Sequence, residues 1–500
     1  MVPGAPPKSR LRTRRAPHAL AQRPFVRWPS TGPQALPPGF LRARFAKPLP
    51  PSLVHARASF ALVRPLLFQP TWIATAMTHF RNFLRTGHAP TLFAAFLYFA
   101  FSCCTWVLNG AMAPFISDTF HLSPAQKGLM LSVPIIAGAL FRFPLGVLSQ
   151  YIGRKRATLV EMTLISVAML MGFFFVRSFG ALLAMGVLLG VAGASFGVAM
   201  SLGSGSFPAR HKGLAMGIVG AGNGGTAVAV LIAPPLAQWL GWQTVYAVAA
   251  VAMAIPMAAV IFLAKEPSDI DPHAGLRAQL ACLVQRDGWA FSLIYAVTFG
   301  GFIGFTSFLP SYYHDQFNVS KVQAGQLTML AAFTGAAMRI VGGWLSDRFG
   351  GINTLTAVLI AVAAGLGCCG LATGSIGLTT ALLIGCFAAL GAGNGAVYQL
   401  VPLRWPLTTA VAGSMIGELG ALGGGLVPST MGLARQYLGT YAWGFAFFAA
   451  CALVTLGLLR ALQAGWTSSW VGAGGRARGV AAPSPRETMP VAANAFADAA

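Results

Sequence analysis

Two arginines stand in stretches that are otherwise without charge. Arg142 lies in Ile135-Ile-Ala-Gly-Ala-Leu-Phe-Arg-Phe-Pro-Leu-Gly146, and Arg339 lies in Leu330-Ala-Ala-Phe-Thr-Gly-Ala-Ala-Met-Arg-Ile-Val-Gly-Gly343. If these stretches cross a bilayer, an arginine at the centre of each costs about 2.5–3.5 kcal/mol on insertion scales. A guanidinium offers paired N–H donors in a rigid fork. The fork fits a planar oxyanion in a way that a lysine ammonium cannot. Two forks in one apolar region are therefore chemistry suited to a small anion.

Few other groups in the apolar stretches carry chemistry. Asn223, within Gly220-Ala-Gly-Asn-Gly-Gly225, is an amide that needs partners in lipid and can donate to an oxyanion. Glu161 and Glu418 are the only acids in these stretches. Glu161 falls near the start of its stretch and reads as structural. Glu418 stands inside a glycine run, where it can partner an arginine or carry a coupling proton. No acid sits beside either arginine in sequence, so the empty site is expected to be positive and to favour anions. None of the eight histidines lies well inside an apolar stretch, and six of the seven cysteines do so without a Cys-x-x-Cys pair. They read as apolar filler rather than a disulfide framework or metal site. There is no Walker loop, no His-Glu-x-x-His and no soluble domain, so neither a cofactor, a metal nor an enzyme is expected.

The elements that must position the arginines are helices. The 500-residue chain is 56% hydrophobic and 9% charged, a composition outside the range of soluble proteins. Twelve apolar runs, each long enough for a ~30 Å hydrocarbon core, cover about 91–116, 126–148, 157–176, 179–201, 213–235, 242–263, 289–311, 323–345, 353–373, 376–399, 408–430 and 440–463. This predicts an all-α polytopic membrane protein whose main partner is the lipid bilayer, and a monomer is expected. The formal charge of +23 is explained by topology rather than by nucleic-acid binding. Twelve of the 34 Lys and Arg fall in residues 1–76, which hold no acid. Loops after even-numbered spans and the central linker hold ten, against four on the other side. The positive-inside rule then places both termini in the cytoplasm, with the chain in the cytoplasmic membrane. Residues 1–88 read as a disordered Pro/Arg-rich extension, with Met77 a possible true start. Residues 89–263 form one six-helix half, 264–288 a cytoplasmic linker, 289–463 the second half and 464–500 a disordered tail.

The halves read as repeats. Arg142 precedes Gly146-Val-Leu-Ser-Gln-Tyr-Ile-Gly-Arg-Lys-Arg156 by four residues, and Arg339 precedes Gly343-Trp-Leu-Ser-Asp-Arg-Phe-Gly-Gly351 by four. Gly217-Ile-Val-Gly-Ala-Gly-Asn-Gly-Gly225 matches Gly417-Glu-Leu-Gly-Ala-Leu-Gly-Gly-Gly425 at an offset of 200. Parallel six-helix repeats place a substrate site at their interface near the midplane. For most of these glycines the plain reading is close helix crossing.

The loop after spans 2 and 8 resembles the signature of the major facilitator superfamily, although the first copy has Gln150 and Tyr151 where acid and base are usual. With the arginines, the two glycine runs (Gly217, Gly220, Gly222, Gly224, Gly225; Gly417, Gly420, Gly423, Gly424, Gly425) resemble the nitrate signature of the nitrate/nitrite porters within it. Gly193-Ala-Ser-Phe-Gly197 and the segment Ser292–Phe305 are similar to that family's pore-lining segments. The resemblance covers roughly residues 90–463. It implies a transporter working by alternating access on nitrate and/or nitrite, by exchange or by proton-coupled uptake. Arg142 and Arg339 would clamp the anion, Asn223 and Tyr295 would hydrogen-bond it, and Phe196 and Phe299 would pack above and below it. The alternative is a related carrier of another small anion, a carboxylate or phosphate ester, since arginine pairs serve those as well.

Overall fold

The computed structural model describes residues 81–267, 284–371, 374–406 and 409–478, all within one compact unit, Thr75–Ala500. The expected start at Met77, residues 1–80 of the basic extension, most of the linker and the chain from 479 onward lie outside the described residues; the rest of the extension, expected to be disordered to 88, is helical at 81–86. In chain order the long helices are α1 Ala89–Trp106, α2 Pro124–Ile152, α3 Arg154–Phe174, α4 Phe179–Ser204, α5 His211–Leu240, α6 Trp242–Leu263, α7 Arg286–Phe317, α8 Lys321–Phe349, α9 Gly351–Leu371, α10 Ile376–Arg404, α11 Thr409–Leu438 and α12 Ala442–Ser469. No strand occurs among the described residues. Eleven of these helices are long and apolar enough to cross a membrane. The 30-residue α11 covers the remaining expected span, 408–430.

Several boundaries differ from the sequence reading for local reasons. The first span, 91–116, is not one helix. After α1 ends at Trp106 the chain continues through short helices at Leu108–Ala111 and Ala113–Phe120. Pro114 has no N–H for the carbonyl of Gly110, and its ring crowds that carbonyl. At the other end of the chain, α12 runs to Ser469 rather than stopping near 463. Its last turns are anchored to the start of α7, where Trp466 Nε1 donates to Asp287 Oδ1 at 2.8 Å and the Trp466 ring stacks on Phe291.

The repeat is visible in the caps. Helices ending at Phe120 and Phe317 are closed by left-handed residues, His121 (φ 49°) and Asn318 (φ 51°). The next helix in each case opens on a capping box, Ser123 with Gln126 and Ser320 with Gln323. Between the halves, α2 packs on α11 and α5 on α8. The crossings match as well: Gly128 lies against the Pro428 carbonyl, and Gly325 against the Val230 carbonyl, with no room for a Cβ in either place. These crossings sit at the end opposite the basic loops. Lys127 pairs there with Asp315 at 2.6 Å, and Lys321 pairs with Asp118, so each half supplies one lysine and one aspartate to the other.

Three helices lose regular α geometry in mid-span: α4 at Gly190–Ala194 and α5 at Ala221–Gly224 as 3₁₀ turns, and α7 at Ala296–Gly300 as a π turn. All three fall in the segments whose glycines the sequence set apart. Such breaks free carbonyls and turn side chains inward, and they recur at functional sites.

Candidate functional site

The basic end of the molecule is open. A cavity of about 920 Å³ enters between Arg154, Lys212 and Asp347 and runs in as far as Arg339, Phe196 and Tyr398. Its inner wall is where the two arginines meet. The Arg142 guanidinium carbon lies 5.5 Å from the centre of the Phe196 ring, and that of Arg339 lies 6.0 Å from the same ring. One phenylalanine, just after the 3₁₀ turn of α4, thus lies within 6.0 Å of guanidinium groups from both halves. Cations over ring faces in a desolvated site gain up to about 2 kcal/mol, which offsets part of the cost of placing them in lipid.

The two guanidinium groups are held differently. Arg142 is buried; its Nε donates to the Gly193 carbonyl of α4 at 2.8 Å and its Nη1 to the Gly417 carbonyl of α11. Trp106 and Phe299 flank it at 5.6 and 5.5 Å. Arg339 is set against the faces of Tyr398, at 5.6 Å, and Phe196, and its buried Nη1 has no acceptor. Arg339 lines the cavity. Arg142, Tyr295 and Phe299 do not.

Tyr295 precedes the π turn of α7 and Phe299 lies within it, and their rings stack at 5.0 Å. The Tyr295 ring lies over Gly420, where a Cβ would collide with it, and its hydroxyl is buried without a partner of ordinary geometry. Asn223 is buried in the 3₁₀ turn of α5; its Oδ1 faces Cys103 of α1 at 3.8 Å, and the residue does not line the cavity. Glu418 follows Gly417 directly and is half-buried, within electrostatic range of Arg142. No acid neighbours either arginine in sequence, but Glu418, read as able to partner an arginine, comes within range of Arg142. The α2–α11 crossing brings in a carboxylate that is 276 positions away in the chain.

The glycine runs divide by what they touch. On α11, Gly417 leaves room for Arg142, Gly420 for Tyr295, Gly423 for Ala296, Gly424 for Gly300 and Ile303, and Gly425 for Ile136 of α2. On α5, Gly222 and Gly225 press against Phe99 and Ala100 of α1, Gly217 and Gly220 line the cavity, and Gly224 has open space. Glu161 is fully buried in the second turn of α3 and accepts a hydrogen bond from Tyr98 of α1.

Comparison with known proteins gives this geometry a family. Residues 94–433 match the Major Facilitator Superfamily. The nitrite extrusion protein of Bacillus subtilis (strain 168) is 30% identical over 361 residues, covering 71% of this chain and 89% of the relative. A probable nitrate transporter of Staphylococcus haemolyticus (strain JCSC1435), NarT, is 31% identical over 364 residues, covering 71% and 92%. The chain belongs to the nitrate/nitrite porter family of the major facilitator superfamily. The fold agrees with this: a bacterial homologue of the lysosomal transporter Spinster, solved facing inward and occupied, superposes with a TM-score of 0.60 at 18% identity, over 76% of this chain and 98% of that one.

In this porter the structure brings Arg142, Arg339, Phe196, Phe299 and Tyr295 into one cluster, of which Phe196 and Arg339 line the cavity, and leaves Asn223 against α1. It adds two residues that the sequence reading passed over, Trp106 and Tyr398. Trp106 lies at the break after α1 and gave no motif. Tyr398 left a signal: Gly193-x-x-Phe196 on α4 recurs as Gly395-x-x-Tyr398 on α10.

Proposed function

We propose that the protein is a secondary carrier of nitrate and/or nitrite, working by alternating access between two six-helix halves. The observation that carries this reading is the convergence of one arginine from each half on the ring of Phe196, at 5.5 and 6.0 Å. A planar, weakly hydrated, singly charged oxyanion is the ligand that two guanidinium forks beside aromatic rings suit best. Following the positive-inside rule, the basic end faces the cytoplasm and the cavity opens there, in the cytoplasmic membrane. An anion entering it meets Arg339 first, because that guanidinium lines the cavity and has a free N–H. Arg142 takes the other edge of the anion only by giving up the Gly417 carbonyl. Binding therefore loosens a tie between the halves at the moment the site fills. The binding energy is spent on the conformational change, as a carrier requires.

The test is uptake of labelled nitrate and nitrite into vesicles holding the purified protein, with and without internal counter-anion. Formate and phosphate are added as competitors. Saturable uptake of nitrate or nitrite, blocked by the other and indifferent to formate and phosphate at equal concentration, is the expected result. Preference for formate or phosphate, or the absence of saturable uptake, overturns the reading.

A further inference from the structure

We propose that Tyr398 is the second half's counterpart of Phe196 and the residue that positions Arg339 for the anion. The inference rests on the anion-carrier reading and goes beyond it. The two aromatics stand three residues after equivalent glycines. The Gly193 carbonyl holds Arg142, and Gly395 packs on the backbone of Arg339 and Gly343. Each arginine lies over the ring of its own half at nearly the same distance, 5.5 Å for Arg142 and Phe196 and 5.6 Å for Arg339 and Tyr398. The two rings then meet across the interface of the halves with centres 6.0 Å apart.

The chemical difference between the two is a hydroxyl, and it has a partner. Tyr398 Oη donates to the Gly413 carbonyl of α11 at 2.9 Å, one turn before Gly417, whose carbonyl holds Arg142. Gly413 lets the ring lie flat along α11, since a Cβ there would stand 3.1 Å from it. Above Gly417, Arg142 Nη1, the Phe196 ring and the Tyr398 hydroxyl converge on the same small space, at 3.2, 3.5 and 3.5 Å from where a Cβ would be. Tyr398 thus reports the position of α11 to Arg339. Arg339 needs such a guide because its buried Nη1 has no acceptor to fix it, and ring faces are what orient it. An oriented fork distinguishes a planar oxyanion from a spherical anion such as chloride. A guanidinium free to swing acts as a point charge and loses that distinction.

The experiment compares wild type with Tyr398→Phe and Tyr398→Leu in the vesicle assay, recording KM and maximal rate for nitrate and inhibition by chloride. Tyr398→Phe keeps the ring and cuts the tether. It is expected to raise KM about threefold with little change in maximal rate, the worth of one neutral hydrogen bond. Tyr398→Leu removes the ring face and is expected to raise KM about tenfold or more and to make chloride an effective competitor. The nitrate-to-chloride ratio is the deciding measurement, because a loss of packing lowers the amount of active carrier and leaves selectivity alone. Wild-type selectivity and KM in both variants overturn the role of Tyr398 while leaving the carrier reading intact. If the leucine variant does not accumulate, a wild-type KM for Tyr398→Phe alone overturns the tether. A wild-type protein that takes up neither nitrate nor nitrite removes the carrier reading, and this inference with it.

Discussion

Arg142 and Arg339 occupy equivalent places on equivalent helices, yet one is tied to backbone carbonyls and the other has a buried N–H without an acceptor. Arg142 gives two hydrogen bonds to backbone carbonyls, one of them on the opposite half, and is boxed in by three rings. Arg339 faces the cavity with a free N–H. The repeat fixes where the two charges stand. The Gly417 carbonyl, which comes from across the interface, is one of the two acceptors that hold Arg142, the other being the Gly193 carbonyl of its own half. A carrier built from two parallel repeats can break its symmetry this way in each half of the cycle while keeping one site.

The largest effects are expected from replacing the forks. Arg339→Lys and Arg142→Lys keep the charge and remove the bidentate geometry, and each should lower nitrate uptake at low concentration by about a hundredfold, in line with the loss of two charge-assisted hydrogen bonds. The comparison predicts different forms for the two losses. Arg339→Lys should act mainly on KM, since that residue meets the anion first. Arg142→Lys should also lower the maximal rate, since it cuts the tie to α11. Identical changes in both parameters for the two variants would sink the asymmetry.

The same contrast shows what could be read in the sequence. The arginines were legible because a charge in an apolar run is costly, and the repeat was legible because its glycines recur at a fixed offset. Family membership and the all-helical fold followed from those patterns. Trp106 was not legible, since an aromatic in a span carries no sign of which face it presents until the neighbouring helix is placed; Tyr398 could be found only through the Gly-x-x-aromatic repeat that it shares with Phe196. Glu418 was seen, but not its proximity to Arg142, which depends on how α2 crosses α11. The breaks in α4, α5 and α7 were marked only as glycine-rich segments; their 3₁₀ and π geometry is decided by packing against α1, α2 and α11.

Glu418 offers a way to sharpen the comparison. It is the carboxylate within range of Arg142, and it opposes the positive charge that an anion seeks. If it carries the coupling proton, its neutral form accompanies anion binding. Glu418→Gln, locked in that form, should retain exchange of nitrate for internal nitrite and lose the stimulation of uptake by an inward proton gradient. Stimulation equal to wild type would exclude Glu418 from coupling and leave it as a structural partner of Arg142.

The smallest effects belong to the closed end, where the symmetric ion pairs are again unequal. Lys127 and Asp315 have side chains 11% and 23% exposed, and Tyr441 adds a hydrogen bond to the same carboxylate oxygen at 3.1 Å. Lys321 and Asp118 are 26% and 59% exposed. Exposed pairs contribute roughly 0–1 kcal/mol, whereas breaking a shielded one leaves a charge without its partner and costs more. Opening of this end can be followed at Ser132, which is fully buried and bonded to Ser429 Oγ of α11 at 2.7 Å. In a Ser132→Cys chain otherwise free of cysteine, Asp315→Asn should speed labelling by an impermeant maleimide by about tenfold, corresponding to roughly 1.4 kcal/mol. Asp118→Asn should change it by less than about twofold, as expected for an exposed pair. Equal acceleration by the two variants would mean that burial does not rank these contacts, and that the closed end is held instead by the glycine crossings at Gly128 and Gly325.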